Sequence, residues 1–388
     1  MLSGAEPPGP RRSPSLMTTR RPLSLVHVTA ERGWSGGEAQ VFLLLEGLRK
    51  RGHAGRLVCP PGSRAETEAR RRGIETTPVA MPSDLSLAGV RGIRRALRET
   101  KPDLLHLHSG RATWLGGIAA FRAGVPALST RRMDRRVRRG PRTRFLYRHA
   151  LRRAVAISDA VAGCLSEGGV PDDAIRVVPS AVDPAPLHPQ RTREAVRAEL
   201  SLAGDETALL AVASLHERKG LDVLLEALTH LAGRGRSPEL WIAGSGPHRG
   251  ALEAQAARQG LADRVHFLGQ RDDVVDLLCA CDVFVLPSRR EGLGVAALEA
   301  MALGRPVVAS RVGGLAESVQ HEYTGLLVPP EDSEALAGAL ERLLGDPALA
   351  RRLGAAGPEH IRDRYDADAM VAGYERIYGE ILAEDVAP

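Results

Sequence analysis

Short apolar runs alternate with helical patterns along most of the chain. Runs such as LSLVHVT (23–29) and LLHLH (104–108) are bounded by polar residues. Between them, apolar residues recur at helical spacing, as at Val41, Leu44, Leu45 and Leu48. Apolar strands separated by amphipathic helices are typical of a parallel sheet that is covered on both faces. The pattern therefore predicts an α/β fold.

The alternation occurs twice, with an interruption near the middle of the chain. The stretch PAPLHPQ (184–190) carries three prolines and precedes a short polar helix, which indicates a linker. We predict two doubly wound, Rossmann-like domains that face a central cleft, at residues 23–185 and 186–365. The strands of the first domain are LSLVHVT, GRLVC, LLHLH, ALST, AVAIS and IRVVP, and those of the second are ALLAVAS, ELWIAG, VHFLG, DVFVLP, PVVAS and GLLVP.

Composition is that of a folded protein. The chain has 388 residues, of which 43% are hydrophobic and 26% charged, so two domains can each bury a core. No apolar run approaches the roughly 20 residues that span a bilayer. Residues 1–22 are rich in proline, serine and arginine, lack the apolar core of a signal peptide, and predict a disordered tail in which Met17 is an alternative start. The expected location is cytoplasmic.

Positive charge is concentrated in residues 131–153, here called the basic segment, which holds eleven arginines and one acid. No nucleic-acid module accompanies it, so nucleic acid is not an expected partner. An anionic membrane surface, a phosphorylated acceptor and a solvated helix face all remain open. Arg144, Arg148 and Arg152 recur every four residues and predict a helix with a basic stripe. The acceptor or membrane contacts are assigned to Arg131, Arg132, Arg135, Arg136, Arg138 and Arg139.

Two glutamates stand out in SRREGLGVAALEAMALG (288–304). Glu299 falls inside an apolar helix, where a carboxylate without a partner is costly. Glu291 falls in the preceding loop, and the glycines 292 and 294 allow a ligand to approach the backbone amides of residues 292–295 (Gly292, Leu293, Gly294 and Val295). Two carboxylates flanking a helix start suit the hydroxyls of two sugars joined by phosphates. The predicted ligand is a nucleotide sugar.

Other candidate phosphate-binding groups follow predicted strands. Arg218 and Lys219 lie after ALLAVAS, with Ser214 at the edge of that strand, and could bind a diphosphate or simply form a solvated pair. Gly36 and Gly37 open the first helix, and the cluster AGSGP, which contains Gly244, follows ELWIAG. Neither a dinucleotide fingerprint nor a P-loop is present, so nicotinamide and ATP chemistry lose support. Cys59, Cys164, Cys279 and Cys281 lack a metal or redox spacing and are interpreted as buried structural residues.

These motifs together resemble glycosyltransferase family 4, whose members are retaining enzymes of GT-B architecture. The resemblance rests on LPSRREGLGVAALEAMALGRPVVASRVGGLAE, SLHERKG, GGEAQ and TGLLVPPED, and it spans about residues 23–385. Two segments depart from the family: Ala213–Leu215 stand where G-R-L is common, and PSAVD (179–183) stands where P-N-G-V-D is common. Both departures leave room for an altered donor preference.

The resemblance implies a role for each matching residue. Glu299 would hold the ribose, Glu291 the transferred sugar, and Arg218 and Lys219 the diphosphate, with Gly37 approaching from the other domain. His108 matches a histidine near the reacting sugar, although a histidine that ends a strand is often structural. It also implies a hexosyl transfer to a glycan or lipid-linked acceptor without a metal or other cofactor, and a C-terminal helix (366–388) that returns to the first domain.

Two alternatives remain open. One is another enzyme of the same architecture, a nucleotide-sugar 2-epimerase or a phosphorylase-like enzyme; the other is a nucleotide-sugar-binding protein without turnover. The only D-x-D, Asp366–Asp368, begins a predicted helix, where helix capping explains it better than metal binding.

Overall fold

The computed structural model describes residues 21–202 and 206–386. The predicted disordered tail, residues 1–22 with Met17, lies outside the described residues apart from positions 21 and 22.

The first domain is built on a parallel sheet of seven strands in the order β3-β2-β1-β4-β5-β6-β7. The edge strand β3 was not predicted, because its sequence ETTP is polar and partly exposed and carries no apolar run. The strands are β1 (Ser24–Val28), β2 (Ala54–Cys59), β3 (Glu75–Pro78), β4 (Leu104–Leu107), β5 (Ala127–Arg131), β6 (Arg153–Ala156) and β7 (Ile175–Val177).

Helices cover both faces of this sheet. They are α1 (Gly36–Lys50), α2 (Arg64–Arg71), α3 (Leu87–Thr100), α4 (Gly110–Ala123), α5 (Pro141–Phe145) and α6 (Asp159–Glu167). The predicted helix with a stripe through Arg152 is too long. After α5 the chain continues as a π-helical turn over Leu146–Ala150 and then enters β6, so Arg152 lies outside the helix.

The second domain repeats the same topology with six parallel strands, in the order β10-β9-β8-β11-β12-β13. Its strands are β8 (Ala208–Val212), β9 (Glu239–Ala243), β10 (Val265–Gly269), β11 (Val283–Leu286), β12 (Val307–Ser310) and β13 (Gly325–Val328). Its helices, with the segment that leads into it, are α7 (Arg193–Glu199), α8 (Leu221–Gly233), α9 (Arg249–Arg258), α10 (Val274–Ala280), α11 (Val295–Ala302), α12 (Leu315–Ser318), α13 (Ser333–Gly345) and α14 (Pro347–Arg364).

The last helix, α15 (Ala367–Val386), returns to the first domain. Its apolar face, which includes Val371, Tyr374 and Tyr378, joins one buried cluster with residues of β1, α1 and β4. At its outer edge, the buried Glu375 accepts hydrogen bonds from His53 Nε2 and Arg51 Nη1, both at 2.8 Å. Helix α15 therefore completes the core of the first domain.

The strand order reverses direction next to β1 in the first sheet and next to β8 in the second. Loops at the carboxyl ends of parallel strands diverge at such a point and leave a crevice for a ligand. The two crevices face each other, since the start of α1 lies against the start of α11: a Cβ placed on Gly36 would be 3.5 Å from Val295 Cβ. The cleft predicted from the sequence lies between these edges.

Candidate active site

The second-domain edge of the cleft, formed by residues 213–220, 243–247, 288–299 and 311–314, is called the donor edge below. Its loops stack so closely that side chains are excluded. A Cβ on Gly314 would lie 2.1 Å from Gly292 O, and one on Gly313 would lie 2.2 Å from Glu291 O. Gly294 begins α11 with φ +84°, a conformation that favours glycine. These glycines fix the loop that carries Glu291.

Glu291 and Lys219 form an ion pair across the donor edge. Lys219 is buried at 9% exposure, and Ser288 Oγ donates a second hydrogen bond to Glu291 Oε2 at 3.3 Å. Lys219 reaches this position because the short 3-10 turn Glu217–Lys219 is held by Gly220, where a Cβ would lie only 2.0 Å from Pro287 O. The two predicted site residues are therefore brought together, and each neutralises the other.

Glu299 lies one helical turn into α11 and has neither a hydrogen-bond partner nor an ion pair among residues 21–202 and 206–386. Burial raises the pKa of its carboxyl group from 4.5 to about 7. The residue is only partly exposed, so its carboxyl group has lost part of its hydration and would gain from hydroxyl donors supplied by a ligand. The partner sought in the sequence is not supplied by the described part of the chain.

The other predicted donor-edge residues lie around the same loops. The side chain of Arg218 has no acidic partner in the described part of the chain, while its carbonyl oxygen accepts a hydrogen bond from Arg289 N at 2.8 Å. Ser214 follows β8 and is partly exposed. Gly244 has φ +146°, and a Cβ there would meet Ala213 O at 1.9 Å, so close packing of two loops requires this glycine.

Gly36 and Gly37 open α1 on the opposite side of the cleft. Ser35 caps this helix by accepting a hydrogen bond from Gly37 N at 3.2 Å and donating one to Glu38 Oε2 at 2.6 Å. Burial raises the pKa of the Glu38 carboxyl group. The start of α1, with its free amide groups, therefore faces the start of α11, and an anion between them would meet two helix N-termini.

His108 belongs to a buried histidine cluster with His27 and His106, beneath the first-domain edge of the cleft. His108 Nε2 and His27 Nδ1 share a hydrogen bond of 2.9 Å. Burial lowers the pKa of all three imidazoles, in the case of His27 to about 3, and the neighbouring Arg132 lowers each further. All three are therefore neutral at physiological pH. Sequence reasoning found only His108, although the alternation H-L-H on β4 could have indicated two histidines on one face.

One ring nitrogen from each of the three histidines lies within 4.8 Å of the others, a separation at which three ligands could bind one metal ion. Both nitrogens of His106 are already hydrogen-bonded, Nδ1 to Tyr378 Oη at 2.8 Å and Nε2 to Thr130 Oγ1 at 2.7 Å. The two remaining histidines use one nitrogen each for their mutual bond. The other nitrogens of these two residues, His27 Nε2 and His108 Nδ1, are buried and form no hydrogen bond in the described part of the chain. Since both nitrogens of His106 are bonded, the cluster offers two free nitrogens rather than three.

The basic segment divides into two parts. Arg135, Arg136, Arg138 and Arg139 are exposed, and Arg136 has a side-chain exposure of 88%. Arg131 and Arg132 are partly buried. Arg132 lies in the cleft, where its carbonyl oxygen is 2.4 Å from the Cβ position of Gly292 and its Cδ is 3.5 Å from that of Gly37. Sequence reasoning did not separate this arginine from its neighbours, because composition alone cannot locate a bend in the chain.

Asp134 also reaches the donor edge. Its Oδ2 is 3.2 Å from the Cβ position of Gly313, and burial followed by the nearby Glu291 raises the pKa of its carboxyl group. Hydrogen bonds from Ser158 Oγ to Gly292 O (2.8 Å) and from Asp159 N to Glu317 Oε2 (2.9 Å) join the domains beside it. The first domain therefore contacts the loop of Glu291 directly.

The predicted cap of the last helix is confirmed. Asp366 caps α15, because its Oδ2 accepts a hydrogen bond from Ala369 N at 2.9 Å. The four cysteines are free thiols, and the expected burial holds for Cys59 and Cys281, whereas Cys164 and Cys279 are partly exposed.

Comparison with known proteins agrees with this geometry. The profile of the family described as "Glycosyl transferases group 1" matches residues 192–360, and that of "Glycosyltransferase Family 4" matches residues 34–186. The chain is 33% identical over 312 residues to the 2-deoxystreptamine glucosyltransferase of Streptomyces kanamyceticus, covering 73% of this chain and 80% of the relative. The chain belongs to the family 4 glycosyltransferases and is a transferase.

One further relative matches about half of the chain, and one solved structure matches the whole fold. The lipopolysaccharide core biosynthesis glycosyltransferase LpsD of Rhizobium meliloti is 34% identical over 188 residues, which is 48% of this chain and 54% of that protein. The structure of Anabaena HepE in complex with UDP-glucose superimposes with a TM-score of 0.81 at 22% identity, covering 93% of this chain and 100% of HepE. The GT-B fold predicted from the sequence is confirmed.

Within the part of the chain that the structure describes, no helix combines the length and the apolar character needed to cross a bilayer.

Proposed function

We propose that the protein transfers a hexosyl unit from a nucleotide-diphosphate sugar to an acceptor hydroxyl, with retention of anomeric configuration. The observation that carries the proposal is Glu299, a carboxylate without a partner, placed behind a helix start that faces the opposite domain. Two vicinal ribose hydroxyls would satisfy this carboxylate and repay its burial. The UDP-glucose complex of the similarly folded HepE supports a donor of this class.

The donor edge is suited to the rest of such a donor. Lys219 and the unpaired Arg218 would neutralise the diphosphate, assisted by the amides of Gly292–Val295 at the start of α11. When the diphosphate binds Lys219, Glu291 is released and can accept hydrogen bonds from the hydroxyls of the transferred sugar. The Glu291–Lys219 pair thus protects two reactive charges until the donor arrives.

The proposed reaction is front-face substitution. The acceptor oxygen forms a bond to the anomeric carbon as the bond from that carbon to the diphosphate oxygen breaks, and the acceptor proton passes to the departing diphosphate. Cationic side chains and helix starts stabilise the charge that develops on the leaving group, a task that needs no metal in principle. His108 is neutral and buried beside this region, and its proposed part is to shape the acceptor side of the sugar pocket.

We propose that the acceptor is a glycan of the cell envelope or a lipid-linked glycan, reached at the inner face of the membrane. The match to the lipopolysaccharide core enzyme LpsD and the exposed arginines of the basic segment support this choice. Replacing Arg135, Arg136, Arg138 and Arg139 with alanine should weaken binding to vesicles that contain anionic lipid and should spare neutral vesicles. Equal pelleting of the variant and the wild type with anionic vesicles would contradict the membrane proposal.

The donor assignment can be tested by thermal-shift titration with UDP, GDP, ADP and dTDP and their common sugars. One nucleotide at 100 times its dissociation constant should stabilise the wild type by about 2.7 kcal/mol. Glu299→Ala should bind it at least tenfold more weakly, whereas Glu226→Ala, an exposed glutamate on α8 of the same domain, should match the wild type. If no nucleotide stabilises the wild type, the proposed donor class is refuted.

Activity separates the remaining alternatives. Incubation of the protein with its donor alone should leave the sugar configuration unchanged, and an acceptor should be required for transfer. A 2-epimerase would convert the sugar without an acceptor. A binding protein would hold the donor intact in both reactions.

A further inference from the structure

Arg132 presents a guanidinium group that the described part of the chain leaves without any partner. Its Nε and Nη1 atoms are shielded from solvent and form no hydrogen bond, and no carboxylate pairs with the side chain. Burying a cation in this way is costly, and a hydrogen-bonded anion is the usual compensation. Because no group in the described part of the chain pairs with the guanidinium, a bound ligand is the expected source of the anion.

The position of Arg132 narrows the choice of anion. Its backbone touches the Gly292 loop of the donor edge, and its side chain passes Gly37 at the start of α1. The charge of Arg132 also acts on the three histidines and on Tyr374 and Tyr378, so the guanidinium lies on the first-domain side of the point where the two helix N-termini converge. Both helix starts favour negative charge at the same point.

Among the described residues, Glu38 attracts Arg132 electrostatically but forms no ion pair with it, and no other nearby group supplies a negative charge in contact with the guanidinium. The three histidines of the buried cluster are neutral, and so are Tyr374 and Tyr378, whose pKa values burial raises. Glu38 is occupied with Ser35, and Glu291 is paired with Lys219. A bound diphosphate would bring its β-phosphate, the group attached to the reacting sugar, between the donor edge and the first domain.

We propose that Arg132 binds the β-phosphate of the donor from the acceptor domain, as the third cation of the diphosphate site. This assignment replaces, for this residue, the acceptor or membrane role expected from the basic segment, and it rests on the proposed function. A planar guanidinium can bind two phosphate oxygens at once. Because Arg132 and Lys219 belong to different domains, the leaving group is bound by both only when the cleft is closed.

The test compares a nucleoside diphosphate with the corresponding monophosphate. UDP and UMP, or the pair for whichever base stabilises the wild type, are titrated against the wild type, Arg132→Gln and Arg132→Lys. Arg132→Gln should weaken the diphosphate about tenfold or more while changing the monophosphate less than about twofold. Arg132→Lys should recover part of the loss. Arg122→Gln, at an exposed arginine near the end of α4 that has no assigned role, should behave as the wild type.

The ligand-free melting temperature distinguishes binding from a structural role. Since the guanidinium forms no ion pair and no hydrogen bond through Nε or Nη1, Arg132→Gln should melt at the same temperature as the wild type or higher. The proposal is overturned if Arg132→Gln binds the diphosphate normally, if it loses both nucleotides equally, or if it only lowers the ligand-free melting temperature. A wild type that binds no nucleotide would instead refute the proposed function.

Discussion

The two edges of the cleft have the same strand topology, but their buried polar groups differ in charge. The donor edge contains charged side chains, one pair that neutralises itself and one carboxylate without a partner. The first-domain edge rests on neutral groups, in which histidines, threonine and tyrosines bond to one another. Charged groups that a ligand can use therefore lie mostly on the donor edge, while the first domain combines one partly buried cation, Arg132, with a wall of neutral histidines and tyrosines.

The largest effect expected on the charged side follows removal of Lys219. Lys219→Ala should lower the rate of nucleoside diphosphate release from the donor by about 10²–10³-fold, as loss of one electrostatic stabiliser does elsewhere. It should also destabilise the protein by about 1–3 kcal/mol, because Glu291 is left partly buried and unpaired. Assays stopped at fixed times measure the rate of nucleoside diphosphate release, and urea unfolding measures the stability.

The control for this prediction separates the effect of Lys219 on stability from its effect on the reaction rate. The double variant Lys219→Met, Glu291→Gln should recover the stability but not the rate, and Lys50→Ala, on the exposed end of α1, should alter neither. Full activity in Lys219→Ala would show that the pair is only structural.

The next effect concerns Glu299 and the pH dependence of stability. The pKa of Glu299 is about 7 in the folded protein and near 4.5 in the unfolded chain, so ionisation of this group destabilises the folded state. The free energy of unfolding is therefore at its full value below pH 4.5 and is reduced as pH rises through 7. Glu299→Gln should therefore gain stability over the wild type between pH 5 and pH 8, by at most about 3 kcal/mol.

Urea unfolding at pH 5, 6, 7 and 8 without ligand measures this difference. Glu226→Gln should show no such pH dependence, because that residue is exposed. A constant difference between Glu299→Gln and the wild type across this range would mean that the carboxyl group has a partner in solution.

The neutral wall predicts the opposite pH dependence. Burial lowers the pKa of His106, so its contribution to stability is present above pH 6.5 and is lost as pH falls toward the folded value. Between pH 6.5 and pH 5 each buried histidine costs up to about 2 kcal/mol. His106→Asn should be less stable at pH 7.5 but lose less on acidification, whereas the exposed His188→Asn should follow the wild type.

The smallest expected effect concerns the hydrogen bond from helix α15 to the histidine cluster of the first domain. Tyr378→Phe leaves His106 Nδ1 without its partner at 2.8 Å and should cost about 1–2 kcal/mol of unfolding free energy. Tyr323→Phe, at an exposed position, should cost nothing measurable. Equal melting temperatures for the two variants would show that the hydrogen bond to His106 is dispensable.

The sequence predicted the donor edge better than the opposite edge for a physical reason. Loops that approach each other within 2.1–2.4 Å of a would-be Cβ admit only glycine, so Gly292, Gly313 and Gly314 leave a recognisable spacing around Glu291. A wall made by His27, His106 and Tyr378 comes from residues far apart in the chain, and no local pattern marks it. The twelve predicted strands are all present, and only the polar strand β3 was missed.

Arg132 shows why charge patterns were less informative than glycine patterns. Within one run of arginines, four side chains are exposed and one enters the cleft, a difference set by the path of the loop after β5. Side-chain type indicates which chemistry is available, but only the fold determines which member of a run can use it.

The position of α15 has a consequence for how the protein is made. Domains usually begin to fold during synthesis, amino-terminal end first. Here the apolar face of β1, α1 and β4 is completed by the 20 residues of α15, which are translated after the whole second domain. Until they emerge, the first domain exposes Leu25, Leu44 and Leu104 beside a second domain that is already translated. Completion of the first core therefore has to wait until the second domain has been made.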